Sequence, residues 1–429
     1  MNPYPAFQPT PQMGPQPGIS KPVTNIIQRM TNEKIAVQQD QERQYHQMMQ
    51  QQIPQPQQMP QPQQQAYYPP AQPFQQGGFD QPPANPLLQN AITREMMPEL
   101  PVVENLPEPE KKGLDREIEE YDRRLEETDE ALWNHDPSKA IKTGLPMFDA
   151  AFDGGLESGL YLLAAPANMG KTAFMIDLLD RIVKNNDNVL CLVGSLDDSL
   201  KKLIPRYISV NQRIQIKEAK NPRNYEHDPV IMEKRAKGKQ FLKDNKHKLL
   251  LYDANDSNAI EDWEDRIIQM RLTMPEGTKL MIFFDSFADL TSRDYRGNND
   301  DMEIHISKEV KRWTTVYDCV VFGTMHLRKT NGKKRPTRED LKGTNRLDYD
   351  ADLVWLLYNE VKVEKEASNI YWNEDGNAYK QPVIELNFAK NKQSDFDRVL
   401  FYHFSPSRNF LMEASEDRQD GYLTQIYSG

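Results

Sequence analysis

Cysteine is scarce: 429 residues include only Cys191 and Cys319, 128 positions apart, with no CxxC and no neighbouring histidine pair. A disulfide framework and a cysteine-based zinc site are both unsupported. No apolar run approaches the 18 residues a membrane-spanning helix needs, so no membrane association is expected. The N-terminus, MNPYPAFQPT, lacks a positive segment followed by an apolar one. It does not read as a secretory signal, and a cytoplasmic protein is expected. Basic charge is also in short supply, with 53 Lys and Arg against 64 Asp and Glu, a net charge of −11. A generally basic coat for nucleic acid is excluded, and any such contact must come from a local loop.

Apolar residues reach only 38% of the chain, below the 45–50% usual for soluble globular proteins. The shortfall is local. Residues 1–100 hold 18 of the 31 prolines and 24 glutamines, and their 5 basic and 6 acidic residues carry only −1 of the charge. A stretch such as QQIPQPQQMPQPQQQ (51–65) buries almost no apolar surface, so nothing offsets its ordering entropy. Residues 1–97 therefore read as a disordered Gln/Pro-rich tail. Within it, 23–49 is a candidate for a transient, partner-binding helix through Ile26, Ile27, Met30 and Ile35.

Residues 98–139 read as an acidic linker carrying a helix over 114–132, with Leu114, Ile118, Tyr121, Leu125 and Leu132 as a thin apolar stripe among charges. That stripe is too narrow for a core and is expected to dock, on its own domain or on a neighbouring subunit. Residues 140–415 read as one domain and 416–429 as a C-terminal tail.

Within that domain, apolar strands alternate with amphipathic helices. Strands are expected at 159–166, 188–195, 248–253, 279–287, 319–326, 352–358, 383–389 and 399–405. Helices are expected at 171–184, 199–210, 230–243, 260–274 and 302–317. Strands buried on both faces and joined by helices imply an α/β protein with a mostly parallel sheet. The last strands follow one another without helices, which predicts an antiparallel edge.

The segment Ala165-Pro166-Ala167-Asn168-Met169-Gly170-Lys171-Thr172 follows a predicted strand and opens a predicted helix, the context a P-loop requires. Backbone N–H groups there would cradle phosphates, Lys171 would neutralise them, and the Thr172 hydroxyl would ligate Mg²⁺. The pattern asks for Gly where Ala165 stands. ATP and Mg²⁺ are the expected ligands. KLMIFFD places Asp285 at a strand end, where a buried carboxylate needs a cation or donors; a turn cap is the plainer reading. VLCLVGSLDDS places Asp197 and Asp198 after the second strand, either to orient an attacking water or to cap the helix starting near Ser199. VVFGTMH ends the fifth strand in His326, a γ-phosphate sensor or simply a strand-end histidine.

Together these segments resemble the C-terminal, RecA-like ATPase domain of DnaB-type replicative helicases. TGLPMFDAAFDGGLESGLYLLAAPANMGKTAF is similar to its entry and P-loop, a family that also accepts Ala at the first position. VGSLDD resembles its strand-plus-acid motif, with Arg206 nine residues after Asp197 as in the family. IFFDSFADL resembles its Walker B strand, RPTREDLKGTNRLDYDADLVWLLY its DNA-contacting loop and next strand, and FAKNK the segment that reaches a neighbour's ATP site. The resemblance covers about 143–412.

It implies a RecA-like P-loop core, an ATP site between subunits, and a hexameric ring translocating on single-stranded DNA, with a primase or loader as further partner. It assigns water positioning to Asp197, nucleotide contact to Arg206 and γ-phosphate sensing to His326, and it makes Lys390 and Lys392 the residues acting in trans. The 114–132 helix falls where the family has its linker helix. Four departures stand out: Asp197 replaces the family's Glu, His326 its usual Gln, and Lys392 its arginine finger, while a Gln/Pro tail stands where the family has a helical N-terminal domain. RecA-type recombinases use lysines in trans, but lysine lacks arginine's bidentate fork.

Arg328–Arg346 (RKTNGKKRPTREDLKGTNR) holds eight basic residues against Glu339 and Asp340, a net +6. Gly332, Pro336 and Gly343 keep it a loop. Alone it would read as a solvated loop; beside a RecA-like site it reads as a DNA contact. The resemblance points to Arg328, Lys329, Lys342, Gly343, Asn345 and Arg346, with Lys342 matching the family's backbone-contacting arginine. The expected function is an ATP-dependent helicase, with a phage or mobile-element source as a side expectation. Rivals are a RecA-, RadA- or KaiC-like ATPase that does not unwind, and a non-enzymatic scaffold.

Overall fold

The computed structural model describes residues 113–134, 136, 140–327, 335–341, 345–373 and 379–427, in two compact units. The expected tail, with its 23–49 segment, lies outside the described residues.

The first unit contributes one described helix, α1 (Gly113–Trp133). Arg123 and Arg124 pair with Glu120, and Arg123 also with Glu127, one turn away. Leu114, Ile118, Tyr121, Leu125 and Leu132 are all exposed. The described contacts of the helix are local, solvent-exposed charge pairs, and its apolar stripe is left uncovered.

The second unit is the α/β body. In chain order it comprises α2 (Pro146–Ala150), β1 (Gly159–Ala165), α3 (Lys171–Asn185), β2 (Val189–Ser195), α4 (Leu200–Gln212), α5 (Ile216–Lys220), α6 (Pro229–Asp244) and β3 (Leu249–Asp253). It continues with α7 (Ile260–Thr273), β4 (Lys279–Asp285), α8 (Asn299–Val316), β5 (Cys319–His326), α9 (Asn345–Asp350), β6 (Leu353–Asn359) and α10 (Glu360–Glu364). The last elements are β7 (Tyr371–Trp372), β8 (Gln381–Asn391), β9 (Val399–Ser405), β10 (Phe410–Glu413) and α11 (Glu416–Tyr427).

The sheet runs β10-β9-β8-β6-β1-β5-β4-β2-β3, with β7 paired to β8. Strands β6, β1, β5, β4, β2 and β3 are mutually parallel. Strands β8, β9 and β10 complete it antiparallel, as the helix-free run of strands predicts.

Alternation along each strand sorts side chains to two faces. Tyr161 and Leu163 of β1, Cys191 and Val193 of β2, Met281 and Phe283 of β4, and Val320 and Phe322 of β5 pack toward α3. The intervening residues pack with Trp263 of α7 and Trp313 of α8 on the other face. Near the antiparallel edge, Trp355 lies 5.3 Å from Phe148 and 5.9 Å from Phe388, ring centroid to centroid. Emptying such a site by Trp→Ala costs about 3–5 kcal/mol.

The short elements α2, α5, α9, α10 and β7 were not expected, β4 ends at Asp285 rather than at 287, and β8 runs from Gln381 to Asn391 rather than over 383–389. β10 was not anticipated, because four residues carry too little alternation to stand out. The expected C-terminal tail is helix α11 as far as Tyr427; it buries Tyr422 against Phe401, with Leu423 and Ile426 packed alongside. Both cysteines are free and buried, and burial pushes the Cys319 thiol up to about 12. Among the described residues no helix is long and apolar enough to cross a membrane.

Candidate functional site

The same alternation that fills the core delivers the site. Continuing the α3-facing series of β4 to its end gives Asp285; on β5 it gives Thr324 and His326; beyond β2 it leads to Asp197. All converge where β1 turns into α3 at the carboxyl ends of the parallel strands, the usual ligand crevice of open α/β sheets.

The connecting loop needs backbone that few residues adopt. Asn168 (φ 63) and Gly170 (φ 113) are both left-handed, which Gly tolerates freely and Asn better than most. No side chain caps α3 at Gly170, so its first-turn N–H groups are left for an anion. Met169 is buried beneath the loop, and Ala165 is the last residue of β1. A Cβ on Ala165 is therefore accommodated within the strand, away from the left-handed turn.

Lys171 is 7% exposed and its Nζ donates to the carbonyls of Ala165 (3.0 Å) and Pro166 (3.2 Å). It also lies 3.2 Å from His326 Nδ1. Burial pulls the ammonium down to about 8, against the opposing pull of Asp285 and Asp197. Burial and the Lys171 charge likewise lower the His326 imidazole, so it is neutral at pH 7 and its Nδ1 accepts the ammonium proton. Asp285, 5% exposed, accepts the Thr172 hydroxyl on Oδ2 (2.7 Å) and the Thr324 hydroxyl on Oδ1. Its backbone carbonyl accepts the N–H groups of Leu196 (2.7 Å) and Asp197 (3.0 Å), which locks the end of β2 beside it.

The two neighbouring acids part company. Asp198 is held by Lys202 (2.8 Å) and Arg206 (3.2 Å). Asp197 is exposed and close enough to Lys171 and His326 to act on their titration. Arg206, expected to contact nucleotide, thus rests on Asp198 in this structure. No group of three or more His, Cys, Asp or Glu suited to a metal occurs among the described residues. A hydroxyl and a carboxylate, Thr172 and Asp285, are hard oxygen ligands of the kind Mg²⁺ takes when phosphates supply the rest.

Lys390 and Lys392 lie elsewhere. The Lys392 N–H donates to Asp352 O, and the Asp352 N–H donates to Leu160 O. Lys392 is therefore level with Leu160, five residues before the loop, or roughly 16 Å along β1. A bulge opposite Val354 and Trp355 inserts Ala389 and re-aims the end of β8. Lys390 Nζ donates to Asp348 O and Tyr349 O, and Lys392 Nζ to Tyr349 O at 3.5 Å. Neither lysine reaches its own chain's loop.

Of the basic segment, Arg328, Lys329, Lys333, Lys334, Lys342 and Gly343 lie outside the described residues, and Asn345 is described only as the first residue of α9. The others are already paired. Arg335 binds Glu385 (2.6 and 3.0 Å) and Glu360 (2.6 Å), Arg338 binds Asp348, and Arg346 binds Asp350 (2.8 Å). The segment's free positive charge is smaller than its composition suggests. Thr324 and these carboxylate partners escaped the sequence reading. Thr324 had a signal, since it lies two residues before His326 on the same face.

Residues 140–411 match the family model described as the DnaB-like helicase C terminal domain. Over 295 residues the chain is 25% identical to the replicative DNA helicase DnaB of Haemophilus influenzae, covering 67% of this chain and 59% of that protein. Over 276 residues it is 23% identical to the replicative DNA helicase DnaB of Geobacillus stearothermophilus, covering 63% and 56%. The chain thus spans under three fifths of the length of these curated relatives. The solved structure of a DnaB-like replicative helicase, studied for its interactions with primase, shares the fold. It has a TM-score of 0.56 at 18% identity, with 71% of this chain and 68% of that one covered.

Proposed function

The chain belongs to the family of DnaB-like helicase C-terminal domains, and on that premise we propose that it is an ATP-driven helicase, acting as a ring on single-stranded DNA in the cytoplasm. One observation carries the reading: the phosphate loop follows the last residue of β1, whereas Lys390, near the end of β8, and Lys392, just past it, lie level with Leu162 and Leu160 of that strand. A complete site then needs two subunits, Lys171 from one and Lys390 with Lys392 from the next. Ring closure, six-fold in the relatives' manner, makes every site alike.

In this reading the first-turn N–H groups of α3 and Lys171 bind the β- and γ-phosphates of ATP. Lys171 leaves the carbonyls of Ala165 and Pro166 to do so. Thr172 and Asp285 hold Mg²⁺, which when bound neutralises phosphate charge and orients the oxygens. Asp197 accepts a hydrogen bond from the attacking water and aligns it with the γ-phosphorus. His326, neutral and bonded to Lys171, senses whether the γ-phosphate is present. The partner's lysines stabilise the charge that builds on the transferring phosphoryl group. The positive charge of the basic segment, Lys329 and Lys342 included, would bind DNA phosphates independently of sequence. A primase or loader as further partner rests on family likeness alone.

The test is strand displacement from a forked duplex with ATP and Mg²⁺. Unwinding that depends on hydrolysis supports the reading. Robust DNA-stimulated hydrolysis without displacement would favour a RecA-like ATPase instead, for which the paired lysines are the specific argument.

A further inference from the structure

The basic segment and the lysine pair meet at a single residue. Thr337, Arg338, Glu339 and Asp340 form a tight turn, closed by the Asp340 carboxylate on the Thr337 N–H (2.7 Å). From that turn Arg338 sends Nε to Asp348 Oδ1 (3.0 Å) and Nη2 to Oδ2 (2.5 Å), a two-pronged ion pair. The backbone carbonyl of the same Asp348 accepts Lys390 Nζ, and the next carbonyl, Tyr349 O, accepts both Lys390 and Lys392. These carbonyls belong to the last turn of α9, where no intrahelical donor is available to them. The helix is fixed on its other side by Asp350, which accepts Arg346 and the buried Ser307 hydroxyl.

Two features make the Arg338 pair replaceable. Its side chains are 43% and 20% exposed, so water and salt already compete for it. A guanidinium fork fits a phosphate as well as a carboxylate. We propose that Asp348 is a positioning residue that links nucleic-acid phosphate to the lysines of β8: phosphate draws Arg338 away, and α9, relieved of that tether, resets Lys390 and Lys392. The inference rests on the helicase reading, because it needs both a polyanion at the basic segment and a neighbour's site for the lysines. It adds a residue that touches neither DNA nor ATP.

The experiment measures ATP turnover of the full chain against oligo(dT) concentration for wild type, Asp348→Asn, Asp348→Glu, Arg338→Ala and the Asp348→Asn/Arg338→Ala double variant. Asp348→Asn frees Arg338 and releases α9 without DNA, so the DNA concentration for half-maximal stimulation falls about three-fold or more, while turnover without DNA rises about three-fold toward the stimulated value. Asp348→Glu restores both. Arg338→Ala, an exposed change that spares the fold, raises the half-maximal concentration and lowers the salt slope of binding by about one. In its background Asp348→Asn no longer changes the DNA requirement. A wild type stimulated by DNA, beside an Asp348→Asn variant with unchanged half-maximal concentration and unchanged turnover without DNA, overturns the proposal alone. Strictly additive effects in the double variant overturn it too. A wild type that DNA does not stimulate overturns the helicase reading and this inference with it.

Discussion

Lys171 Nζ lies 3.2 Å from His326 Nδ1, so the P-loop ammonium and the strand-end imidazole share a hydrogen bond across the ends of β1 and β5. Burial, with the Lys171 charge beside it, keeps His326 neutral, and the bond gives Lys171 an acceptor that phosphate must displace.

From this follows a pH dependence. Burial leaves the free protein's Lys171 half-protonated at about pH 8. Phosphate favours the charged form, so ATP binding takes up a proton above that pH. Affinity should be level from pH 6.5 to 7.5 and weaken above 8, by up to about ten-fold per unit. Titrating a fluorescent ATP analogue between pH 6.5 and 9.5 checks this. Affinity flat to pH 9.5 would mean Lys171 titrates as an ordinary lysine. Lys171→Ala should abolish hydrolysis with the thermal transition retained.

Asp285 receives hydroxyls from Thr172 and Thr324, one on each oxygen. Asp285→Asn keeps the shape but loses the charge. The Mg²⁺ concentration for half-maximal turnover should rise about ten-fold or more, the usual loss when a metal site's support is altered. An unchanged Mg²⁺ requirement rejects Asp285 as the metal's carboxylate.

The strand ends were legible in the sequence because the central strands are buried on both faces and so run apolar until a polar residue marks the edge. KLMIFFD and CVVFGTMH announce Asp285 and His326 in that way. Short elements, α2, β7 and β10, offer too few residues for a period to emerge. The charge pairs were invisible for another reason: Arg335 finds Glu385 fifty positions away and Glu360 twenty-five away. Such pairings are set by topology, and no local pattern encodes them. The net +6 of the basic segment, counted from the sequence, does not include these distant partners.

Arg335 is the anchor of that segment's stem, set against two carboxylates that are 4% and 9% exposed. Removing it takes the cation from both, and Glu360 keeps only the N–H groups of Asn369 and Ile370. Arg335→Ala should destabilise the domain by about 2 kcal/mol or more, read as a lower urea midpoint. Arg335→Met with Glu385→Gln should recover part of the loss. A midpoint within error of wild type would show the triad to be dispensable.

Deleting residues 1–90 should leave ATP turnover and assembly nearly unchanged, since that composition supplies no core. Extending the deletion through Leu132 removes the exposed stripe of α1 and should dissociate the ring. Light scattering with ATP present distinguishes the two. A ring surviving the larger deletion contradicts a docking role for Leu114, Ile118, Tyr121 and Leu125.

The central claim is that each ATP site is shared between subunits, because Lys392 sits level with Leu160 while Lys171 lies beyond Ala165. The most direct measurement mixes Lys171→Ala with Lys392→Ala subunits and follows DNA-stimulated ATP turnover. Each variant alone should be impaired, Lys392→Ala while still binding nucleotide. A mixed ring pairs some intact phosphate loops with intact lysines from the adjacent subunit, so the account predicts turnover well above the sum of the two parents. Mixed rings that demonstrably form but are no more active than that sum would contradict it.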